Sequence, residues 1–286
     1  MKMPAFDYAC PATLSEAVAL LAAHDGDAKV LAGGQSLLPV LAFRLAAPKL
    51  LVDLRKLADL RHIRITHNGV ALGAMVRWCD IESDVRLRTA HPLLLEAITH
   101  VAHYQIRNRG TVGGSIAHAD PAAEMPGIAM TCEAEIAVLG AGGTRTIKAQ
   151  DFFQGALTTA LKADEIIVEI RLPFWPVARR WGFQEFARRR GDFALAAAAV
   201  FYDIDAAGKA TNAHVGVIGV ADRPLRLPTV EAVINGTAID DATIAKADAA
   251  TSSAVNPDGD IHGSAAYRKS LAGTMVERAL KTAAAR

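Results

Sequence analysis

Apolar residues along this chain follow two rhythms, a three-to-four spacing in some segments and short continuous runs in others, and each switch between them marks an element. Behind Thr13-x-x-Glu16, a capping-box pattern, helical spacing predicts a helix over 13–23. Residues 28–31 then read as a short apolar strand, and 50–54 as a buried one. Asn68-Gly69 between the apolar runs 63–65 and 70–72 predicts a hairpin that opens a second unit. Helical patterns cover 77–84 and 92–103. The runs 134–139 and 144–147, joined across Gly140-Ala141-Gly142-Gly143, predict another hairpin, with 165–172 as a closing strand. Pro173-Phe174-Trp175-Pro176 breaks the pattern, because proline lacks the N–H that helix interiors and central strands use. Beyond it, 181–187, 193–205 and 212–220 predict three antiparallel strands, and 229–234, 241–253 and 264–284 predict helices. The expected division is 1–176, in parts of about 1–60 and 61–176, followed by 177–286.

Composition narrows the function more than the fold. The 286 residues are 51% hydrophobic and 21% charged, enough for a well-buried core. A net charge of +1 supplies no concentrated basic field, so a dedicated nucleic-acid surface is not expected. No stretch approaches the roughly 20 apolar residues of a membrane span, and the N-terminus lacks a basic-then-apolar leader. The expectation is a soluble cytoplasmic protein without membrane insertion. Cys10, Cys79 and Cys132 are one thiolate short of an iron–sulfur cluster's four ligands. The nine histidines show no HExxH pattern, and no G-x-S-x-G elbow is present, so neither a metal site nor acyl-transfer chemistry is expected.

Two glycine-rich stretches remain, Ala32-Gly33-Gly34-Gln35-Ser36-Leu37-Leu38-Pro39 and Thr111-Val112-Gly113-Gly114-Ser115-Ile116. Paired glycines admit positive φ and leave no Cβ in the way, so successive N–H groups can converge on an anion. Neither stretch has GxGxxG or GxxxxGK[ST] spacing. As a pair they predict a split cradle for a diphosphate. The backbone amides of Gly33, Gly34, Gln35, Ser36, Gly113, Gly114 and Ser115 would hold it, aided by the hydroxyls of Ser36, Thr111 and Ser115.

With Met3-Pro4-Ala5-Phe6-Asp7-Tyr8, Arg107-Asn108-Arg109-Gly110, Asp120-Pro121-Ala122-Ala123-Glu124-Met125-Pro126, Arg190-Gly191-Asp192-Phe193-Ala194-Leu195-Ala196 and Asp260-Ile261-His262-Gly263-Ser264, these stretches resemble the flavoprotein medium subunit of the molybdenum hydroxylases, the group of xanthine dehydrogenase, carbon monoxide dehydrogenase and quinoline oxidoreductase. The resemblance implies an α+β fold: a two-part FAD-binding domain of the vanillyl-alcohol-oxidase (PCMH) type, then a C-terminal three-stranded antiparallel sheet with helices. It also implies noncovalent FAD in this chain, held by Leu31, Ala32, Gly33, Gly34, Gln35, Ser36 and Leu37 and by Thr111, Val112, Gly113, Gly114 and Ser115.

Further from the cradle, the resemblance brings Val101, Ile167 and Gln184 beside the flavin or adenine, His118 near the cofactor, Glu124 to a cofactor hydroxyl and Phe193 over the isoalloxazine. Gln35 departs from the His of some relatives, and Glu124 from the usual Asp. No catalytic residue is implied in this chain. The [2Fe-2S] clusters belong to a small partner and molybdopterin to a large one, in a dimer of heterotrimers, with the runs 107–109 and 188–190 near those contacts. The implied role is an electron-transfer subunit of an N-heterocycle hydroxylase of the quinoline type. A carbon monoxide or aldehyde dehydrogenase subunit, a self-sufficient FAD oxidoreductase and a noncatalytic nucleotide-binding module are the alternatives.

Overall fold

A computed structural model describes residues 3–286. Its first unit holds β1 (Asp7–Ala9), α1 (Leu14–Ala22), β2 (Ala28–Leu31), α2 (Leu37–Ala42) and β3 (Leu50–Asp53). Both β1 and β2 pair in parallel with β3, giving the order β1-β3-β2. Thr13 caps α1 by accepting the Glu16 N–H at 3.1 Å, while the Glu16 carboxylate reaches one residue further back, to the Ala12 N–H. α2 is absent from the sequence expectation because Pro39 disguises it. Proline sits there in the first turn, where its missing N–H removes no helical bond.

The second unit contains β4 (Ile63–Thr66), β5 (Gly69–Gly73), α3 (Trp78–Ser83), α4 (Leu87–Ala90), α5 (Pro92–Ile98), α6 (Tyr104–Arg107), α7 (Val112–His118) and α8 (Glu124–Thr131). It continues through β6 (Glu135–Gly140), β7 (Gly143–Lys148), α9 (Ala149–Phe152), β8 (Phe153–Gly155), β9 (Thr158–Thr159) and β10 (Ile166–Pro173). Five strands form an antiparallel sheet in the order β4-β5-β10-β6-β7. The first hairpin is displaced by one residue from its expected turn, since Thr66 pairs with Gly69 and the turn is His67-Asn68. Gly69 is needed inside the strand, where a Cβ would lie 2.0 Å from the Leu172 carbonyl oxygen. The helix expected over 92–103 stops at Ile98. Ala102 takes φ +41°, and the Arg107 guanidinium donates to the carbonyls of Val101 and Ala102 at 3.0 and 3.1 Å, satisfying groups a helix would have used.

The third unit is an antiparallel sheet of β11 (Arg180–Phe186), β12 (Ala196–Ile204), β13 (Ala210–Ile218) and β14 (Leu225–Arg226), backed by α10 (Pro228–Ile234), α11 (Asp241–Ala254) and α12 (Ala265–Ala284). It has four strands where three were expected, because β14 pairs through only two residues and carries no periodicity of its own. β12 begins at Ala196, leaving 193–195 outside the sheet. α12 presses closely on β11: a Cβ at Gly182 would sit 2.1 Å from the Ala279 carbonyl oxygen. The opposite face packs against α5 and α8, so Trp181, Phe183, Phe201 and Ile218 belong to the same buried cluster as Leu93, Met125 and Ile128. One core thus joins the second and third units across the proline boundary.

Candidate functional site

A cavity of about 1420 Å³ opens where the three units meet. One wall is the turn between β2 and α2. Gly34 has φ +73°, and among the described residues no acceptor pairs with the N–H groups of Gly33, Gly34, Gln35 and Ser36. Four consecutive unpaired amides in a glycine turn make an anion-binding nest. Gln35 braces it by donating from Nε2 to the Gly33 carbonyl at 3.1 Å. Gly33 also lets the turn lie against the second unit, since a Cβ there would be 2.1 Å from the Arg109 carbonyl oxygen.

The second glycine stretch is built differently from the expected cradle. It is the start of α7, with Thr111 as its N-cap. Gly113 donates to the Ala74 carbonyl at 2.9 Å, Gly114 to Thr111 Oγ1 at 3.2 Å and Ser115 to the Thr111 carbonyl at 3.0 Å, so these amides are already paired. Its glycines serve close packing instead. A Cβ on Gly113 would meet Ala74 Cβ at 2.5 Å, and one on Gly114 would meet Thr111 Oγ1 at 2.8 Å. Thr111, Gly113, Gly114 and Ser115 nevertheless line the cavity.

Ala32, Gln35, Ser36, Leu37, Val101, His118, Glu124, Ile167 and Phe193 line the same cavity. Leu31, Val112 and Gln184 are not among its lining residues. Leu31 packs with Leu41 and Leu51 beneath the turn, and Val112 is fully buried in the main core. The Gln184 amide turns to Thr282 Oγ1 on α12, because strand alternation points it to the helix-covered face. Phe193 is 65% exposed at the mouth of the cavity.

Arg268 is a site residue that the sequence pattern missed. Its Nη1 donates to the carbonyls of Leu195 and Gly219 at 3.0 and 2.9 Å, and its Nη2 to Asp260 Oδ2 at 2.8 Å. Asp260 in turn accepts the N–H of His262, and His262 Nδ1 lies 3.3 Å from Arg188. The segment carrying Phe193 is therefore tied down at both ends, with Gly191 (φ +90°) set so close to the His103 ring that a Cβ would meet it at 2.5 Å. The only signal for Arg268 was its position eight residues after Asp260, which has no reading without the fold.

Glu124 opens α8, buried and lining the cavity, with no ion-pair partner among the described residues. Burial, with a smaller push from Asp120, lifts its carboxyl to about 7. Glu185 on β11 is lifted to about 8 by burial and by the Glu124 charge, and its Oε2 is buried without a partner.

The lining suits an extended dinucleotide. The Gly33–Ser36 nest fits a diphosphate, Thr111 and Ser115 line the same space, and Val30, Val40, Leu54, Met75, Ile166 and Ile167 give apolar walls for ring systems. Residues 4–175 match the family described as the FAD binding domain in molybdopterin dehydrogenase, and residues 181–283 match the CO dehydrogenase flavoprotein C-terminal domain. The chain belongs to the family of FAD-binding medium subunits of molybdenum hydroxylases, an oxidoreductase family. It is 39% identical to the nicotine 6-hydroxylase medium subunit of Paenarthrobacter nicotinovorans, covering 100% of both chains. It is 38% identical to the carbon monoxide dehydrogenase medium chain of Afipia carboxidovorans, covering 98% of this chain and 97% of that one. The solved structure of quinoline 2-oxidoreductase from Pseudomonas putida 86 contains a chain that superposes with a TM-score of 0.95 at 40% identity, covering 100% of this chain and 99% of that chain. Among the described residues no helix is long and apolar enough to cross a membrane.

Proposed function

We propose that this chain is the electron-relay subunit of a cytoplasmic dimer of heterotrimers that hydroxylates an N-heterocycle. A large partner oxidises the substrate at molybdopterin, and the [2Fe-2S] clusters of a small partner carry electrons to the FAD held here. The observation carrying this reading is the cavity, with a phosphate nest at one wall and an exposed aromatic at its mouth. Bound FAD supplies the conversion between one-electron delivery and two-electron release. Around it, the amides of Gly33, Gly34, Gln35 and Ser36 hold the diphosphate, each charge-assisted bond contributing on the order of 1.5–3 kcal/mol. Thr111 and Ser115 hydroxyls add to that hold. Val101 and Ile167 wall the rings from water, His118 and Leu37 border the same space, and Phe193 limits access from outside. The division into 1–176 and 177–286 puts nest and Phe193 on different domains, so the site closes between them.

The relatives acting on nicotine and quinoline favour the N-heterocycle class; the carbon monoxide relative, of similar identity, supports a second reading. The test is dye-linked substrate oxidation by this chain alone and by the assembly with both partners, across quinoline, nicotine and carbon monoxide. The chain alone should bind FAD and turn over nothing. Turnover by an iron- and molybdenum-free preparation would defeat the relay reading in favour of a self-sufficient flavoenzyme, and oxidation of carbon monoxide alone would exchange the substrate class.

A further inference from the structure

β10 is entered through a loop, residues 160–165, that lies outside every strand, and Leu161, Glu165, Ile166 and Ile167 from this stretch all line the cavity. Ile166 packs with the core of the first unit and Ile167 with the main one, so the stretch is the seam where both cores meet the cavity. Its position is set by the β6–β7 hairpin. Arg145 on β7 donates from Nε to Glu165 Oε1 and from Nη2 to Glu165 Oε2, both at 2.7 Å, and from Nη2 again to the Ala160 carbonyl at 2.8 Å. Both ends of the loop thus hang on one guanidinium. Glu165 also closes the loop on itself, accepting the Lys162 N–H on Oε2 at 2.8 Å and donating its own N–H to the Lys162 carbonyl at 3.1 Å. Gly140, at the end of β6, permits the close approach, since a Cβ there would lie 2.8 Å from Glu165 Cγ. From the same hairpin the Ala141 N–H donates to Asp164 Oδ2 at 3.3 Å.

The Arg145 side chain is 40% exposed but that of Glu165 only 6%, so without this guanidinium a buried carboxylate would lose its ion-pair partner. The fork holds that carboxyl below the usual carboxylate range, against the opposing effect of burial. Arg145 itself does not line the cavity. We propose that Arg145 is a positioning residue for the cofactor: through Glu165 and the Ala160 carbonyl it holds Leu161, Ile166 and Ile167 in place as an apolar wall against bound FAD. The proposal rests on the reading of the cavity as the FAD site. A guanidinium suits the task because its planar fork takes a carboxylate by two bonds and keeps a third donor for the carbonyl, whereas an ammonium is a point charge that cannot fix the plane of the pair. With the fork gone the loop loosens, the wall recedes and water reaches the rings.

The test uses the protein purified with its partner chains, stripped of FAD and titrated back with FAD by flavin fluorescence. Absorption spectra of the loaded protein report on the wall, because the vibrational fine structure of the visible flavin band blurs when water reaches the ring. Arg145→Lys keeps the charge and should blur that band and lower FAD affinity on the order of tenfold, about what partial loss of one leucine-sized apolar contact costs. Arg145→Met should also lower the thermal midpoint of the stripped protein, because it strands the Glu165 charge. Adding Glu165→Gln removes the stranded charge and should restore the midpoint, yet leave affinity low and the band blurred. Recovery of midpoint, affinity and band together in the double variant would show that the pair only balances charge, which overturns the positioning role. So does wild-type affinity with a sharp band in Arg145→Lys, the variant that decides the matter if the double one does not fold. FAD that fails to bind the unaltered protein sinks the site reading, and the positioning role with it.

Discussion

Gly33 and Gly114 look equivalent in sequence, yet only the first belongs to a run of unpaired amides. Gly33→Ala would drive a methyl into the Arg109 backbone, which cannot yield as a side-chain end would, and should displace the nest. Gly114→Ala instead crowds the Thr111 hydroxyl and weakens one helix cap, at a cost of about 1 kcal/mol. FAD stoichiometry by absorbance, read beside thermal midpoints, should therefore fall far more in Gly33→Ala; equal loss in both would return the second stretch to the phosphate site. Phe193→Ala should leave stability within about 0.5 kcal/mol, because its ring is largely exposed. Its effect should appear in the rate at which reduced protein passes electrons to oxygen or dyes, and unchanged rates would remove Phe193 from the access route.

At the scale of elements, the start of α5 meets the proline boundary at His91. The ring caps α5 by accepting the Leu94 N–H at Nδ1, lies against Trp175 and is fully buried, with Nε2 unpartnered. Burial pushes its protonation down to about 3. The unfolded chain takes up that proton near pH 6.5, so His91's neutral, buried state stabilises the fold fully above pH 6.5. That contribution is lost progressively as pH falls toward 3. His91→Asn, which keeps a capping acceptor, should lose stability less steeply than wild type over this window in denaturant titrations. Parallel slopes for the two proteins would show that His91 is not the group taking up the proton.

Over the whole molecule, the proline boundary divides the sequence but not the core. Trp181, Phe183, Phe201 and Ile218 from one side and Leu93, Met125 and Ile128 from the other share a continuous cluster. Fragment 1–176 would expose the faces of α5 and α8 that this sheet covers, a patch large enough to drive association. Calorimetry of the intact chain should show one cooperative transition spanning both parts, and the fragments made separately should aggregate or remain unfolded. Two resolved transitions, or a monomeric folded 1–176, would contradict the shared core.

The order of elements was legible in the sequence wherever local rules suffice: the Thr13 cap, the two hairpins, the proline break and the long C-terminal helices all follow from neighbours a few residues apart. The family was legible as well, because its motifs are local strings. Tertiary structure decided what those strings do. Gly113 and Gly114 carry the same composition as a phosphate loop, but whether an amide binds a ligand or Ala74 depends on what lies opposite. α2 and α8, each with a proline in its first turn, and β14, two residues long, are held by the elements they pack against rather than by their own periodicity. Arg268 reaches three segments up to 73 residues away, and Glu185 has its acidity weakened by burial and then by the charge of a side chain 61 positions earlier. Spacing along a chain cannot register these pairs, since burial and charge act through space.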